Sequence, residues 1–244
     1  MKILGIIPAR YASTRFPGKP LVQIKGKSMI QRVYEQSCKA KSLSEVIVAT
    51  DDERIATEVK RFGGKFILTG SNHLSGTDRC AEVATAVSGY DAILNIQGDE
   101  PYIDPEQIDL LASCFNEKDV QLATLIKKIH TENELFNVNI PKVLVNSNGD
   151  AIYFSRQTIP YIRGQEKENW IKVHQFYKHI GIYGYTYTAL LEITKLPLSS
   201  LELAESLEQL RWVENGYKIK TKVTEIETIA IDTPEDLIKI NDGV

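Results

Sequence analysis

Cysteine is scarce in this chain, with three in 244 residues, Cys38, Cys80 and Cys114. They show no C-x-x-C spacing and no nearby histidine pair, which argues against a zinc site. Their odd number argues against a disulfide framework. Reduced, buried thiols in a cytoplasmic protein are the expectation. No stretch is apolar enough to span a bilayer, and the first apolar run is too short for a signal peptide. An excess of one charge is also missing. The formal net charge of −3 creates no global basic field, so nucleic acid is not an expected partner. Any anion must be met by local cations. Internal repeats and low-complexity segments are absent as well.

What is present is an ordinary globular composition, 43% hydrophobic and 25% charged. The length suits one α/β domain, here 1–244, with a core large enough to need no covalent staples. Apolar, β-rich runs at 3–7, 46–49, 66–68 and 92–96 alternate with amphipathic runs at 29–38, 54–62 and 79–87. Near-continuous apolar strands separated by helices predict a mostly parallel, mixed sheet flanked by helices, a Rossmann-like architecture. Ligands in such sheets sit outside the carboxyl ends of the strands. Chemistry is therefore expected just after Ile7, Ala49, Leu68 and Ile96.

The second half is less regular. Strands are expected at 122–126, 143–145, 180–187 and 218–223, and a mobile polar loop at 163–169. Leu203, Leu207 and Leu210 fall on one face of a helix spanning 201–215, with Glu205, Glu208, Gln209 and Trp212 elsewhere on it. A last helix is expected to begin at Thr233-Pro234-Glu235-Asp236, where a capping box coincides with proline at the first helical position.

The first strand runs into Pro8-Ala9-Arg10-Tyr11-Ala12-Ser13-Thr14-Arg15-Phe16-Pro17-Gly18-Lys19-Pro20. Three cations, Arg10, Arg15 and Lys19, lie within ten residues, separated by small and hydroxylated side chains. Three cations in a loop are usually a solvated surface. At the carboxyl end of a strand they suit a polyanion, with arginine giving bidentate contacts and lysine a point charge. A Walker motif is excluded, because Gly26-Lys27-Ser28 has Leu21 at the required upstream glycine and Gly18-Lys19 is followed by Pro20.

Acidic residues follow other strands. Asn95-Ile96-Gln97-Gly98-Asp99-Glu100-Pro101 closes the fourth, and Gly98 permits a sharp turn. Asp99 reads either as a turn residue or as a ligand, and Asp232 either as a helix-start carboxylate or as a ligand. Thr50-Asp51-Asp52-Glu53 and Ser75-Gly76-Thr77-Asp78-Arg79 read as helix starts, the first as a Thr50–Glu53 capping box. Strand alternation places His179, Gly181, Tyr183 and Tyr185 on one face. A histidine and tyrosines so placed are more often core than ligand. A polyhydroxylated molecule against an aromatic ring would also fit them.

The run IIPARYASTRFPGKPL resembles the N-terminal signature of the CMP-Kdo synthetases, a branch of the sugar nucleotidyltransferases. Kdo is 3-deoxy-manno-octulosonate, an acidic eight-carbon sugar. The resemblance continues in order through VATDD, SGTDR, NIQGDEP, YFSR, YKHIGIYGY, LELAESLEQLRW and IDTPEDL. It implies the nucleotide-diphospho-sugar transferase (GT-A-like) fold and transfer of CMP from CTP to Kdo for lipopolysaccharide precursor synthesis. It also implies Mg²⁺ on Asp99 and Asp232, and a homodimer built through a β-rich, sugar-binding region at about 130–200. Arg10, Arg15, Lys19, Asp99 and Asp232 are the implied catalytic set. The implied nucleotide pocket comprises Pro8, Ala9, Arg10, Ser13, Arg15, Lys19, Thr50, Asp51, Ser75, Gly76, Thr77, Arg79 and Gln97. The implied sugar site comprises Gln97, Arg156, His179, Tyr183, Glu208 and Gln209. Three rivals remain on sequence grounds: another acid sugar such as 8-amino-Kdo or a sialic acid, a glycosyltransferase of related fold, and a non-catalytic CTP-binding module.

Overall fold

The computed structural model describes residues 1–12, 16–228, 231 and 236–237. The strands are β1 Ile3–Ala9, β2 Gln23–Ile24, β3 Lys27–Ser28, β4 Glu45–Thr50, β5 Phe66–Leu68, β6 Ala92–Asn95, β7 Leu122–Lys128, β8 Lys142–Val145, β9 Ala151–Ser155, β10 Tyr177–Thr186 and β11 Ile219–Val223. The α-helices are α1 Met29–Ser37, α2 Glu53–Arg61, α3 Gly76–Val87, α4 Pro105–Ala112, α5 Glu132–Phe136, α6 Trp170–Val173, α7 Tyr187–Ile193, α8 Ser200–Glu205 and α9 Gln209–Glu214.

One sheet runs in the order β11-β7-β10-β6-β1-β4-β5, with β8 and β9 attached to β10. Along that path β10 alone is antiparallel, pairing so with both β6 and β7. The sheet is thus mostly parallel and mixed, as expected. Alternation along β1 explains the two-sided burial. Ile3, Ile7 and Ala9 join a core shared with Ile30, Val33, Ile108 and Leu111 of α1 and α4. Leu4 and Ile6 join the opposite core, shared with Cys80 and Val83 of α3 and Leu190 and Ile193 of α7. Each fully buried aliphatic side chain contributes about 1.5–3 kcal/mol by leaving water. Two-sided burial therefore fixes the register of the central strands.

The chain leaves β1 towards β4 and β5 on one side and returns to β6 on the other. That reversal opens a crevice at the carboxyl ends of β1 and β6. β1 extends two residues beyond the expected end, to Ala9. Ile96 N–H donates to Ile6 O, so on that side β6 has ended before Pro8, and the missing proline N–H costs no ladder bond there.

Several expectations change. Thr50 and Glu53 form no capping box. Asp52 is the N-cap of α2, accepting from Arg54 N, while Thr50 Oγ1 accepts from Asp52 N. A carboxylate nearer the first turn simply takes the free amide. The single helix expected at 201–215 is two helices, broken at Ser206 in the left-handed region with φ 52°. The break turns Leu203 outward, 64% exposed, while Leu207 and Leu210 stay buried. β10 stops at Thr186, whose side chain caps α7, so Tyr187 is helical. The polar loop at 163–169 contains a 3₁₀ turn, Lys167–Asn169, leading into Trp170, which is buried with Phe176 and Leu135. The helix expected from Thr233 begins outside the described residues.

In β10 the pairing with β7 slips. Ile180 opposes Leu125 and Tyr183 opposes Thr124, leaving Gly181 and Ile182 unopposed. Thr124 Oγ1 fills the gap, 2.7 Å from Ile182 O and 3.2 Å from Ile180 O. The slip is two residues long, so His179, Tyr183 and Tyr185 keep one face.

Candidate active site

The crevice between β1 and β6 holds a cavity of about 270 Å³. Pro8, Ala9 and Arg10 enter it from β1, and Asn95, Gln97, Gly98 and Asp99 from the end of β6. Ser75, Gly76 and Arg79 come from the start of α3, and Lys19 from the return of the basic loop. Gly98 is required by proximity, since a Cβ there would lie 2.8 Å from Pro8 O. Lys19 Nζ donates to Asp99 Oδ2 at 2.8 Å, bringing together a cation and a carboxylate eighty residues apart.

The neck of the basic loop is fixed. Gly18 N–H donates to Tyr11 O at 3.0 Å, and Gly18 adopts φ 73°, which suits glycine. The Arg54 guanidinium lies 3.3 Å above the Tyr11 ring and is itself held by Asp52. Arg54 keeps the Asp52 carboxyl below its ordinary range.

α3 starts with a complete capping box, Ser75 with Asp78. Its positive dipole end faces the cavity, an arrangement that suits anionic groups. Arg79 is buried and spans outward, donating to Thr69 Oγ1 and Gly70 O and reaching Asp51 at 3.4 Å. Thr50 is fully buried, and neither it nor Asp51 lines the cavity. Both act behind its wall, Asp51 through Arg79.

A second group of residues sits beside the cavity. Tyr183 and Asn95 are cross-strand partners. The Tyr183 ring contacts His179 at 5.1 Å and Trp212 at 5.1 Å, centroid to centroid. His179 Nε2 meets Thr124 Oγ1 at 2.9 Å, and burial pushes its imidazole down to about 3. It is therefore neutral at physiological pH. Glu208 Oε2 accepts from Thr77 Oγ1 at 2.9 Å, and burial raises its carboxyl. Without a partner among the described residues are the buried Asn95 Oδ1, Tyr183 Oη and Gln209 Nε2, and, away from this group, Ser42 Oγ. Unpaired buried polar atoms are rare and costly, so the adjacent pair on Asn95 and Tyr183 suits a polar ligand.

Arg156 is placed differently. Its guanidinium donates to the carbonyls of Val138, Glu205 and Ser206, and its N–H to Glu205 Oε2. That fixes the α8–α9 break against β9. Ser13, Arg15 and Asp232 lie outside the described residues. Ile231 N–H donates to Asp99 O at 3.0 Å, so the chain returns to Asp99 one residue before Asp232. Among the described residues no group of three or more acidic, histidine or cysteine side chains forms a metal cluster.

The sequence reading missed Asn95, His73 and Leu74 in the cavity wall. Asn95 was hidden because it ends an apolar strand. His73 stands two residues before the α3 cap, a position that carries no motif of its own.

A mixed sheet with a cationic, helix-capped crevice at its switch point defines a nucleotide-binding α/β protein. The cytidylyltransferase family profile matches residues 4–221. The 3-deoxy-manno-octulosonate cytidylyltransferase of Cytophaga hutchinsonii is 60% identical over 98% of this chain and 96% of its own length. That of Parabacteroides distasonis is 59% identical with the same coverage. The solved structure of CMP:2-keto-3-deoxy-manno-octonic acid synthetase complexed with CTP superposes with a TM-score of 0.92 at 42% identity, covering 99% of this chain and 98% of that one. The 4-diphosphocytidyl-2C-methyl-D-erythritol synthase of Anaerococcus prevotii, at 14% identity and a TM-score of 0.62, shares the fold. This chain belongs to the cytidylyltransferase family, and within it to the 3-deoxy-manno-octulosonate cytidylyltransferases.

Proposed function

We propose that this enzyme transfers CMP from CTP to Kdo, releasing pyrophosphate, as a step in lipopolysaccharide precursor synthesis in the cytoplasm. The carrying observation is the Lys19–Asp99 pair at the mouth of a cavity walled by the capped start of α3. It sets a cation for polyphosphate beside a carboxylate able to hold a metal. The anomeric hydroxyl of Kdo attacks the α-phosphorus, the bond from that phosphorus to the α,β-bridging oxygen breaks, and pyrophosphate departs while the hydroxyl proton passes to solvent. Arg10, Arg15 and Lys19 hold the triphosphate and offset the charge growing on the leaving group. Tyr183 Oη and Gln209 Nε2, without partners among the described residues, meet the sugar's hydroxyl or carboxylate oxygens, with neutral His179 and Glu208 beside them. Their work is alignment of the nucleophile.

Asp99 and Asp232 would hold Mg²⁺, a hard ion that favours one or two carboxylates plus phosphate oxygens. The donor set fits, since the return of the chain at Ile231 supports bringing the second carboxylate to the first. The ion would polarise the α-phosphate and lower the pKa of the attacking hydroxyl. A homodimer formed through the β8–β9 side of the molecule completes this reading.

The test is pyrophosphate release from CTP and Mg²⁺ with Kdo, 8-amino-Kdo and sialic acid in parallel, with sugar-free controls. Release with Kdo is expected. Preference for 8-amino-Kdo would keep the chemistry and change the substrate. Asp99→Asn is expected to lower kcat by about 10²–10³-fold or more. Near-normal Mg²⁺-dependent turnover in that variant would sink the metal assignment.

A further inference from the structure

We propose that His73, oriented by Glu82, reads the base of the nucleotide and separates cytosine from uracil. The proposal rests on the reading of the cavity as a CTP site and adds the group that selects the base.

The cavity wall divides by chemistry. Arg10, Lys19 and Asp99, all charged, come from the end of β1, the return of the basic loop and the end of β6, while the guanidinium of Arg79 on α3 is engaged by Thr69, Gly70 and Asp51. His73 and Leu74 come from the β5–α3 connection. Leu74 is 85% exposed, an apolar side chain offered to whatever occupies the cavity. Triphosphate belongs with the cations, which leaves a planar, uncharged ring for the His73–Leu74 wall.

His73 is held in one orientation. Its Nε2 contacts Glu82 Oε2. Glu82 is anchored in turn, accepting from Gly70 N at 3.0 Å through the same oxygen and at 3.3 Å through the other. An ionised carboxylate only accepts, so the neutral ring carries its proton on Nε2. Nδ1 is then an acceptor, and it has no hydrogen-bond partner among the described residues.

An acceptor is what distinguishes the two pyrimidines. Cytosine carries an N4 amino donor where uracil, like thymine, carries an O4 acceptor. His73 Nδ1 accepts from the first and faces a lone pair on the second. A site built around one such hydrogen bond rejects the ligand that lacks it, because the site's own polar atom is left unpaired.

The tautomer supplies the test. Glu82→Ala removes the acceptor that holds the imidazole proton on Nε2. The proton is then free to sit on Nδ1, which in that form suits O4 of uracil. Binding of CTP and of UTP would be measured by calorimetry for the unaltered protein, His73→Ala and Glu82→Ala, beside pyrophosphate release with Kdo. The expected result is about tenfold weaker CTP binding in His73→Ala, with UTP binding little changed. Glu82→Ala should weaken CTP and spare or strengthen UTP, narrowing the ratio by about tenfold. An unchanged CTP-to-UTP ratio in both variants overturns the proposal. So does an equal loss for both nucleotides, which would make the pair a wall support only. Unaltered protein that binds CTP selectively but turns over no sugar overturns the proposed reaction and leaves the base assignment standing.

Discussion

Tyr183 is the residue where stability and function separate most cleanly. Its hydroxyl is buried without a partner among the described residues, so it adds desolvation cost and no hydrogen bond to them. Tyr183→Phe keeps the ring against Trp212 and His179. Thermal unfolding of this variant should show stability unchanged or raised by up to about 1 kcal/mol. KM for Kdo should rise several-fold while CTP binding stays constant. A loss of stability with unchanged KM would mean that the hydroxyl serves the core. At this scale the sequence was an uneven guide. Asp99 and Lys19 were legible because a glycine turn and a basic loop each follow an apolar strand. The orphan atoms of Asn95 and Gln209 were not, because partnerlessness depends on what every neighbour does.

Helices and strands were easier to read than their ends. The 3.6-residue pattern of α1 and α2 and the apolar runs of β1, β4 and β6 were clear, because two-sided burial leaves few polar interruptions, and β5 was equally apolar although it is the edge strand, with Leu68 47% exposed. Caps were harder, since 50–53 offers several competing side-chain acceptors and only geometry chooses among them. Asp52→Ala should destabilise by about 1 kcal/mol, whereas Glu53→Ala should stay within about 0.5 kcal/mol. Urea titration of both variants checks this. The Asp52 carboxyl is lowered by Arg54, so its contribution is present at neutral pH and lost as the pH falls through the carboxylate range. The stability gap between Asp52→Ala and the unaltered protein should therefore close in acid. The break at Ser206 was illegible for a related reason. A serine in the left-handed region carries no local signal, and it is Arg156, just after distant β9, that binds the carbonyls of Glu205 and of Ser206 itself.

For the whole molecule, sheet order follows from local pattern up to β6 and then ceases to. β10 enters between β6 and β7 in the opposite sense, a long-range choice that periodicity cannot encode. The stretch 143–154 divides between core and surface. Val143 and Phe154 are core, while Ile152 on β9 is 53% exposed. If β9 forms part of a homodimer contact, Ile152→Glu should shift the protein from dimer to monomer in sedimentation velocity, with the fold retained. A dimer unaffected by the change would move the contact away from this strand. Among the described residues no helix is long and apolar enough to cross a membrane.

The pair of unopposed residues in β10 has a further consequence. It acts like a dislocation of even length in a regular lattice, advancing the chain by one full pleat without rotating it. His179 on one side of the fault and Tyr183 on the other therefore still look the same way. Loss or gain of a single residue at Gly181–Ile182 would preserve the ladders on both flanks yet turn one of these rings through the sheet. Length at this point can change without disassembling the pocket only in steps of two.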